Sequence, residues 1–216
     1  MTKRWVKVLV FFDSLFTLLA VFLCLQPVPM NESIKLALEV LQRGGLILYP
    51  TDTIWGIGCD ATSEEAVRRV YELKRRTDSK AMLVLVDSMA KVQAHVEELP
   101  DVAWDLVELS EKPLTIIYQG ARNLATNLLA EDGSVGIRVT REAFSNELCQ
   151  RFKRPIVSTS ANVSGTPSPA CFREIAPEII DGVDYVVAYR QDETTKATPS
   201  SIIKLGTGGQ VSILRP

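Results

Sequence analysis

The sequence predicts an α/β fold with a mixed parallel and antiparallel sheet, and three observations carry that expectation. From Met30 onward helical and extended stretches alternate, the pattern of helices laid on a sheet. The extended stretches are short and rich in Val, Ile and Leu, as buried strands are. The last three, "DYVVAY", "SSIIKL" and "QVSILR", follow one another with no helix between them, so some neighbours must run antiparallel. With 216 residues, 46% apolar and 23% charged, the chain can bury a proper core, and one domain is the economical reading.

The elements follow in order. A helix over 31–43 has Asn31 as its N-cap, Ile34, Leu38 and Leu41 on one face, and Gly44-Gly45 as its stop. The strand "LILYP" comes next, then a loop, then a helix over 63–76 that Thr62 opens, with Glu65 completing a capping box. "AMLVLVD" reads as a buried strand. Helices over 88–98 and 101–110 follow, then strands "PLTIIYQ" and "SVGIRVT", a helix over 141–153 and the strand "PIVST". A loop rich in Pro, Ser and Gly leads to a helix over 172–181 and the three closing strands.

Residues 1–29 stand apart. "KRWVKVLVFFDSLFTLLAVFLCLQPVPM" has a basic start and an apolar run from Val8 to Leu25, like a signal or membrane anchor. No small-residue cleavage site follows the run, and Met30 begins a clean second start. We read 1–29 as a leader outside the fold or a wrongly assigned start, and 30–216 as the folded domain.

Composition narrows the chemistry. A net charge of −2 argues against a broad basic face, and so against wholesale nucleic-acid binding. Cys24, Cys59, Cys149 and Cys171 are far apart, without C-x-x-C spacing, so neither a zinc site nor a disulfide framework is indicated. His95 is the sole histidine and lies in the polar helical stretch "KVQAHVEEL"; a His-dependent triad is excluded unless His95 itself serves.

Five features could carry function. Gly56-Ile-Gly58-Cys-Asp-Ala61 resembles a dinucleotide fingerprint, but "TDTIW" separates it from Pro50 and the helix begins only after Thr62. Thr51 and Thr53 sit at a strand's carboxyl end, where open α/β sheets build ligand crevices; a turn that satisfies itself is the other reading. Lys74, Arg75, Arg76 and Lys80 crowd the end of a helix, where cations complement its dipole, yet four within seven residues repel and a polyphosphate would relieve them. Arg138 lies in an otherwise apolar strand, facing either a ligand or a salt-bridge partner. "IVSTSANVSG" carries Ser158, Thr159, Ser160, Asn162 and Ser164 with no charge beside them, either as donors to a ligand or as a turn closing on Gly165.

Taken in this order, "YPTDTIWGIGCDA", "KRR" at 74–76, "VGIRVT", "IVSTSANVSG" and "PSSIIKL" resemble the YrdC family of L-threonylcarbamoyladenylate synthases, across essentially Met30 to Pro216. The resemblance rests on that family's K-x-R and S-x-N signatures, here Lys74-Arg75-Arg76 and Ser160-Ala161-Asn162. It implies a twisted mixed sheet with a large, concave, basic cavity. It also implies a nucleotidyltransferase that joins L-threonine, bicarbonate and ATP into threonylcarbamoyl-AMP and pyrophosphate, for modification of the adenosine beside the anticodon of tRNA. By the same resemblance Thr53, Arg138, Ser158 and Ser201 contact threonine, while Lys74, Arg76, Lys80, Ser134, Ser160, Asn162, Ser168 and Arg215 face the nucleotide. Lys74, Arg76, Ser160 and Asn162 form the catalytic set. Ser134, Ser168 and Arg215 are matched by spacing rather than by motif.

The implied cofactor is Mg2+ carried in with ATP, with no metal held by the protein. The implied partners are the downstream tRNA threonylcarbamoyl transferase machinery, with weak contact to tRNA, in the cytoplasm. Three positions depart from the family: Leu85 replaces a threonine-contacting histidine of longer relatives, Thr77 replaces proline, and "SEKPLT" replaces "WPGPLT". The alternatives are a relative that binds RNA or nucleotide without synthase activity, a duplex-RNA binder, and a dinucleotide reductase.

The implied chemistry explains a hydroxyl loop without a base. Threonine's amine can attack carbon dioxide or bicarbonate unaided, and the carbamate then attacks the α-phosphorus, so the protein must chiefly position and neutralise. Cations stabilise charge developing on the phosphates, and neutral donors such as Ser160 and Asn162 bind phosphate oxygens without burying further charge. Arg138 offers a carboxylate a bidentate partner.

Overall fold

The computed structural model describes residues 28–76, 82–194, 199–206 and 210–216. Within them nine strands form one sheet in the order β7-β1-β2-β6-β3-β5-β4-β8-β9. In chain order these are β1 (Ile47–Tyr49), β2 (Gly56–Gly58), β3 (Leu83–Val86), β4 (Leu114–Tyr118), β5 (Val135–Val139), β6 (Ile156–Ser160), β7 (Tyr185–Val186), β8 (Ser201–Leu205) and β9 (Val211–Arg215). Pairs β1/β7, β3/β5 and β4/β8 are parallel, and the other five neighbours are antiparallel. The expected mixed sheet is therefore present.

Six α-helices accompany the sheet: α1 (Met30–Gln42), α2 (Glu64–Leu73), α3 (Met89–His95), α4 (Val102–Leu109), α5 (Ala143–Phe152) and α6 (Pro177–Asp181). α1 turns Ile34, Ala37, Val40 and Leu41 inward and packs on α5, whose Phe144 and Leu148 are fully buried. α1 packs against β1 and α5 against β3, closing the buried core. At roughly 25 cal/mol per Å2 of apolar surface removed from water, such side chains contribute about 1.5–3 kcal/mol each.

The fold departs from the sequence expectation at three places. Asn31 is not the cap of α1; the helix begins at Met30 after Pro29, and Pro29's carbonyl accepts from Glu32 and Ser33. Ser63, not Thr62, caps α2 by accepting from the amide of Ala66, because Thr62 is taken up by Asp60, to which both its amide and its hydroxyl donate. The expected helix 172–181 is a 3-10 turn over Phe172–Glu174 and a short α6, divided where Pro177 sets a new helix start. As the spacing predicts, the stretch that resembles a dinucleotide fingerprint is not one: its glycines lie in β2, antiparallel to β1, with no strand-to-helix turn to hold a pyrophosphate. The leader up to residue 27 lies outside the described residues.

Candidate active site

Side chains alternate across a strand, so pairing five or six strands in register brings every second residue to one face. Here that face gathers Ser158 and Ser160 of β6, Leu83 of β3, Gly136 and Arg138 of β5, Thr115 and Ile117 of β4, and Ile202 of β8. They line a cavity of about 620 Å3, closed further by Thr53, Ile54, Gly56, Arg76, Met82, Ala130, Ser134, Thr159, Ser168, Pro199, Ser200, Leu214 and Arg215. Two glycines keep it open. A Cβ on Gly56 would stand 3.3 Å from both Ser158 Oγ and the Thr159 carbonyl, and one on Gly136 would stand 3.3 Å from the Thr115 methyl.

The wall carries three arginines, eight hydroxyls and, among its described residues, no carboxylate. In a chain of net charge −2, that concentration of positive charge points to an anionic ligand.

The K-x-R and S-x-N signatures, 86 residues apart, meet at Lys74. Its ammonium donates to the carbonyls of Ser160 at 2.5 Å and Asn162 at 2.6 Å, and its own carbonyl accepts from the amide of Ser164 at 2.9 Å. Lys74 is thus the post around which the hydroxyl loop is wound. Asn162 closes the loop from inside, its amide nitrogen donating to Val163 and Thr166 carbonyls at 3.0 and 2.6 Å. Neither Lys74 nor Asn162 is on the cavity wall; Ser160 and Arg76 are.

Arg75 explains the middle position of K-x-R. It adopts a left-handed φ of 49° and ends α2 in a Schellman turn, with its amide donating to Glu72 and that of Arg76 donating to Tyr71. The turn sends Arg75 outward to pair with Glu178 at 2.8 Å and Arg76 toward the cavity, its guanidinium carbon 5.9 Å from the centre of the Tyr71 ring. Left-handed backbone costs a non-glycine residue roughly 1 kcal/mol, while an exposed ion pair returns about 0–1 kcal/mol. Arg75→Gly is therefore expected to hold Tm steady or raise it by about 2 °C; a fall beyond about 4 °C in a thermal melt would contradict a strained turn at Arg75.

The "TDT" loop is both a self-satisfied turn and a cavity wall. Thr51 Oγ1 donates its one proton to the Ile54 carbonyl at 2.7 Å, so it accepts from the Thr53 amide and the Thr53 hydroxyl, each at 3.1 Å. With its proton so used, Thr53 presents lone pairs to the cavity.

Arg138 is 2% exposed, and its Nη2 lies 3.2 Å from Asp52 Oδ1. It has both the partner and the cavity between which the sequence left the choice open. Its Nε is buried without a hydrogen-bond partner, a state that costs about 1–3 kcal/mol until an acceptor arrives. Ser158 is buried on the same wall. Ser134 donates to Asp132 at 2.5 Å and keeps its lone pairs for the cavity. Ser168 is exposed at the mouth.

Of the remaining expected residues, Ser201 begins β8 opposite Leu114 and is off the wall. Its neighbour Ser200 is on it, 2% exposed, bonded to Thr115 Oγ1 at 2.8 Å and accepting from Arg215 at its carbonyl (2.7 Å) and hydroxyl (3.3 Å). Leu85 pairs with Arg138 and is fully buried, while Leu83 and Met82 line the cavity. Lys80 and Thr77 lie outside the described residues. His95 ends α3, off the wall, near the Arg122 carbonyl.

A family model named Sua5_yciO_yrdC, described as "Telomere recombination", matches residues 39–216. The chain belongs to the Sua5/YciO/YrdC family. It is 32% identical over 181 residues to a Pseudomonas aeruginosa protein named threonylcarbamoyl-AMP synthase, covering 83% of this chain and 95% of that one. A Pseudoalteromonas translucida protein of the same name is 29% identical over 184 residues, covering 84% and 97%. Among solved structures, P. abyssi Sua5 in complex with L-threonine superposes with a TM-score of 0.75 at 26% identity, over 85% of this chain and 53% of that one. The present chain thus spans about half of that Sua5. E. coli YciO, at 20% identity and a TM-score of 0.74 over 87% and 89%, shares the fold.

Within this family member, burial lowers the pKa of the Lys74 ammonium to about 8, with Arg76 adding repulsion. Below about pH 8 the folded protein holds a charged Lys74 at a cost in stability. As pH rises from there toward the ordinary lysine value of 10.5, the unfolded chain binds the extra proton and the native state gains. A neutral amine still has two protons for its two carbonyls, so the loop survives the change. Selective isotope labelling of lysine should show one ammonium titrating near pH 8, and a Lys74 that titrates with the other lysines would contradict its burial.

Proposed function

We propose that the chain is a threonylcarbamoyl-AMP synthase, making L-threonylcarbamoyladenylate and pyrophosphate from L-threonine, bicarbonate and ATP. The observation that carries this reading is the hydroxyl-rich cavity with three arginines on its wall and Arg138 buried at one end with an unpartnered Nε. The relatives bearing that name support it, as does the Sua5 complex with L-threonine.

In the reaction, threonine's amine nitrogen bonds to the carbon of carbon dioxide and loses a proton, or to the carbon of bicarbonate with a C–O bond broken and water released, giving a carbamate. A carbamate oxygen then attacks the α-phosphorus of ATP, the bond from that phosphorus to the bridging oxygen breaks, and pyrophosphate leaves. Arg138 holds the amino-acid carboxylate, and Thr53 accepts from threonine's hydroxyl or amine. Arg76 meets the charge that develops on the phosphates, with Ser160 and the backbone of the loop wound on Lys74 as neutral donors. Arg215, Ser134 and Ser168 flank the nucleotide. No Asp, Glu or His stands among the described wall residues, so Mg2+ enters as part of the ATP substrate, held by phosphate oxygens.

The product supplies the threonylcarbamoyl group to a tRNA-modifying transferase, in the cytoplasm. Among the described residues no helix is long and apolar enough to cross a membrane. Incubation with isotopically labelled bicarbonate, threonine and Mg-ATP tests the reading by mass spectrometry. The nucleotide product should carry the labelled carbon together with threonine and AMP; an unlabelled adenylate would refute the carbamate route.

A further inference from the structure

Arg138 already has a carboxylate beside it, and that carboxylate does not belong to the cavity wall. Asp52 lies next to Thr53 in the loop after β1, but its side chain faces a second hollow of about 100 Å3 lined also by Lys112, Pro113 and Arg141. From there it reaches Arg138 Nη2 at 3.2 Å, with side-chain exposures of 12% and 3%. Asp52 Oδ1 has no hydrogen bond of good geometry, and Arg138 Nε has none either. A buried acceptor and a buried donor are thus both unsatisfied within one ion pair. Thr53, one residue on, turns lone pairs into the cavity.

We infer that Asp52 makes the Arg138 end of the cavity selective for a zwitterionic α-amino acid over a bare carboxylate or phosphate. The inference rests on Arg138 receiving the amino-acid carboxylate. A lone buried arginine would attract any anion, including the phosphates of ATP, whose place is at Arg76 and Arg215. With Asp52 behind it, the Arg138 end carries charge of both signs, which suits a ligand that does the same: carboxylate toward Arg138, ammonium toward Thr53 and the field of Asp52. The remaining charges near Asp52 hold it in place. Arg190 attracts it and donates to the Thr51 carbonyl at 3.3 Å, while Glu142, which repels it, is paired with Arg190 at 3.2 Å. Burial pushes the Asp52 carboxyl above its ordinary range and Arg138 pulls it back.

The test compares equilibrium binding of L-threonine and of 3-hydroxybutyrate, which is threonine without its amine, to the full chain. Asp52→Asn should narrow the preference for threonine by about tenfold, and Asp52→Glu should restore much of it. A purely structural role would weaken both ligands equally and leave the ratio within about twofold, which would overturn the inference. Should Asp52→Asn fail to fold, the ratio is read in Arg138→Gln against the double variant lacking both charges; a ratio unchanged by removing Asp52 overturns the inference there too. If Arg138→Gln binds both ligands as the parent does, the carboxylate reading of Arg138 is what fails.

Discussion

Arg76→Ala is expected to lower kcat by about a thousandfold, the effect of removing an arginine that meets charge developing on a transferred phosphoryl group. Stability should change little. Arg76 lies past the end of α2, half-buried, and its contact with the Tyr71 ring contributes about 0.5–1 kcal/mol. A Tm within about 3 °C of the parent would separate lost chemistry from lost fold. Arg76→Lys keeps the charge without the planar fork and should recover part of the rate. Steady-state kinetics decide the matter, since a kcat within about tenfold of the parent would remove Arg76 from the phosphate site.

Arg138→Gln has two expected effects of different origin. It leaves Asp52 buried without its partner, and breaking a buried pair on one side costs about 3–5 kcal/mol, lowering Tm by about 10 °C. It also removes the donor for the amino-acid carboxylate, which should raise the KM for threonine by about a hundredfold while the KM for ATP moves by less than about threefold. Replacing Asp52 by Asn in the same chain should return much of the stability and none of the threonine affinity. An unchanged threonine dependence, measured at saturating ATP, would contradict the carboxylate role.

The alternation of helix and strand was legible because most strands are short apolar runs, and the mixed sheet was legible because no helix stands between the last three; of those only β8 and β9 are antiparallel neighbours, while β7 crosses to the opposite edge and runs parallel to β1. The two signatures were legible as motifs, but their division of labour was not. That Lys74 winds the loop while Arg76 faces the cavity depends on a left-handed turn at Arg75, where the sequence has an arginine and not the glycine that marks such turns. Thr115, Ser200, Gly136 and Asp52 were missed for one reason: each matters through pairing between distant strands or loops, such as β4 with β8, and periodicity along one strand is blind to its neighbour. That Ser200 lines the cavity and Ser201 does not was illegible because a one-residue step along an extended chain swaps the face, and "SS" gives no signal to choose between them. β2 escaped because its three residues are Gly-Ile-Gly, with one side chain where a strand usually shows an apolar run.

The most direct test of the synthase reading is pyrophosphate release from Mg-ATP and bicarbonate by the purified chain, with L-threonine, L-serine or no amino acid. Release that requires threonine, falls with serine and is lost in Arg76→Ala is the predicted result. Release that is indifferent to the amino acid, or none from a folded protein that binds ATP, would contradict it.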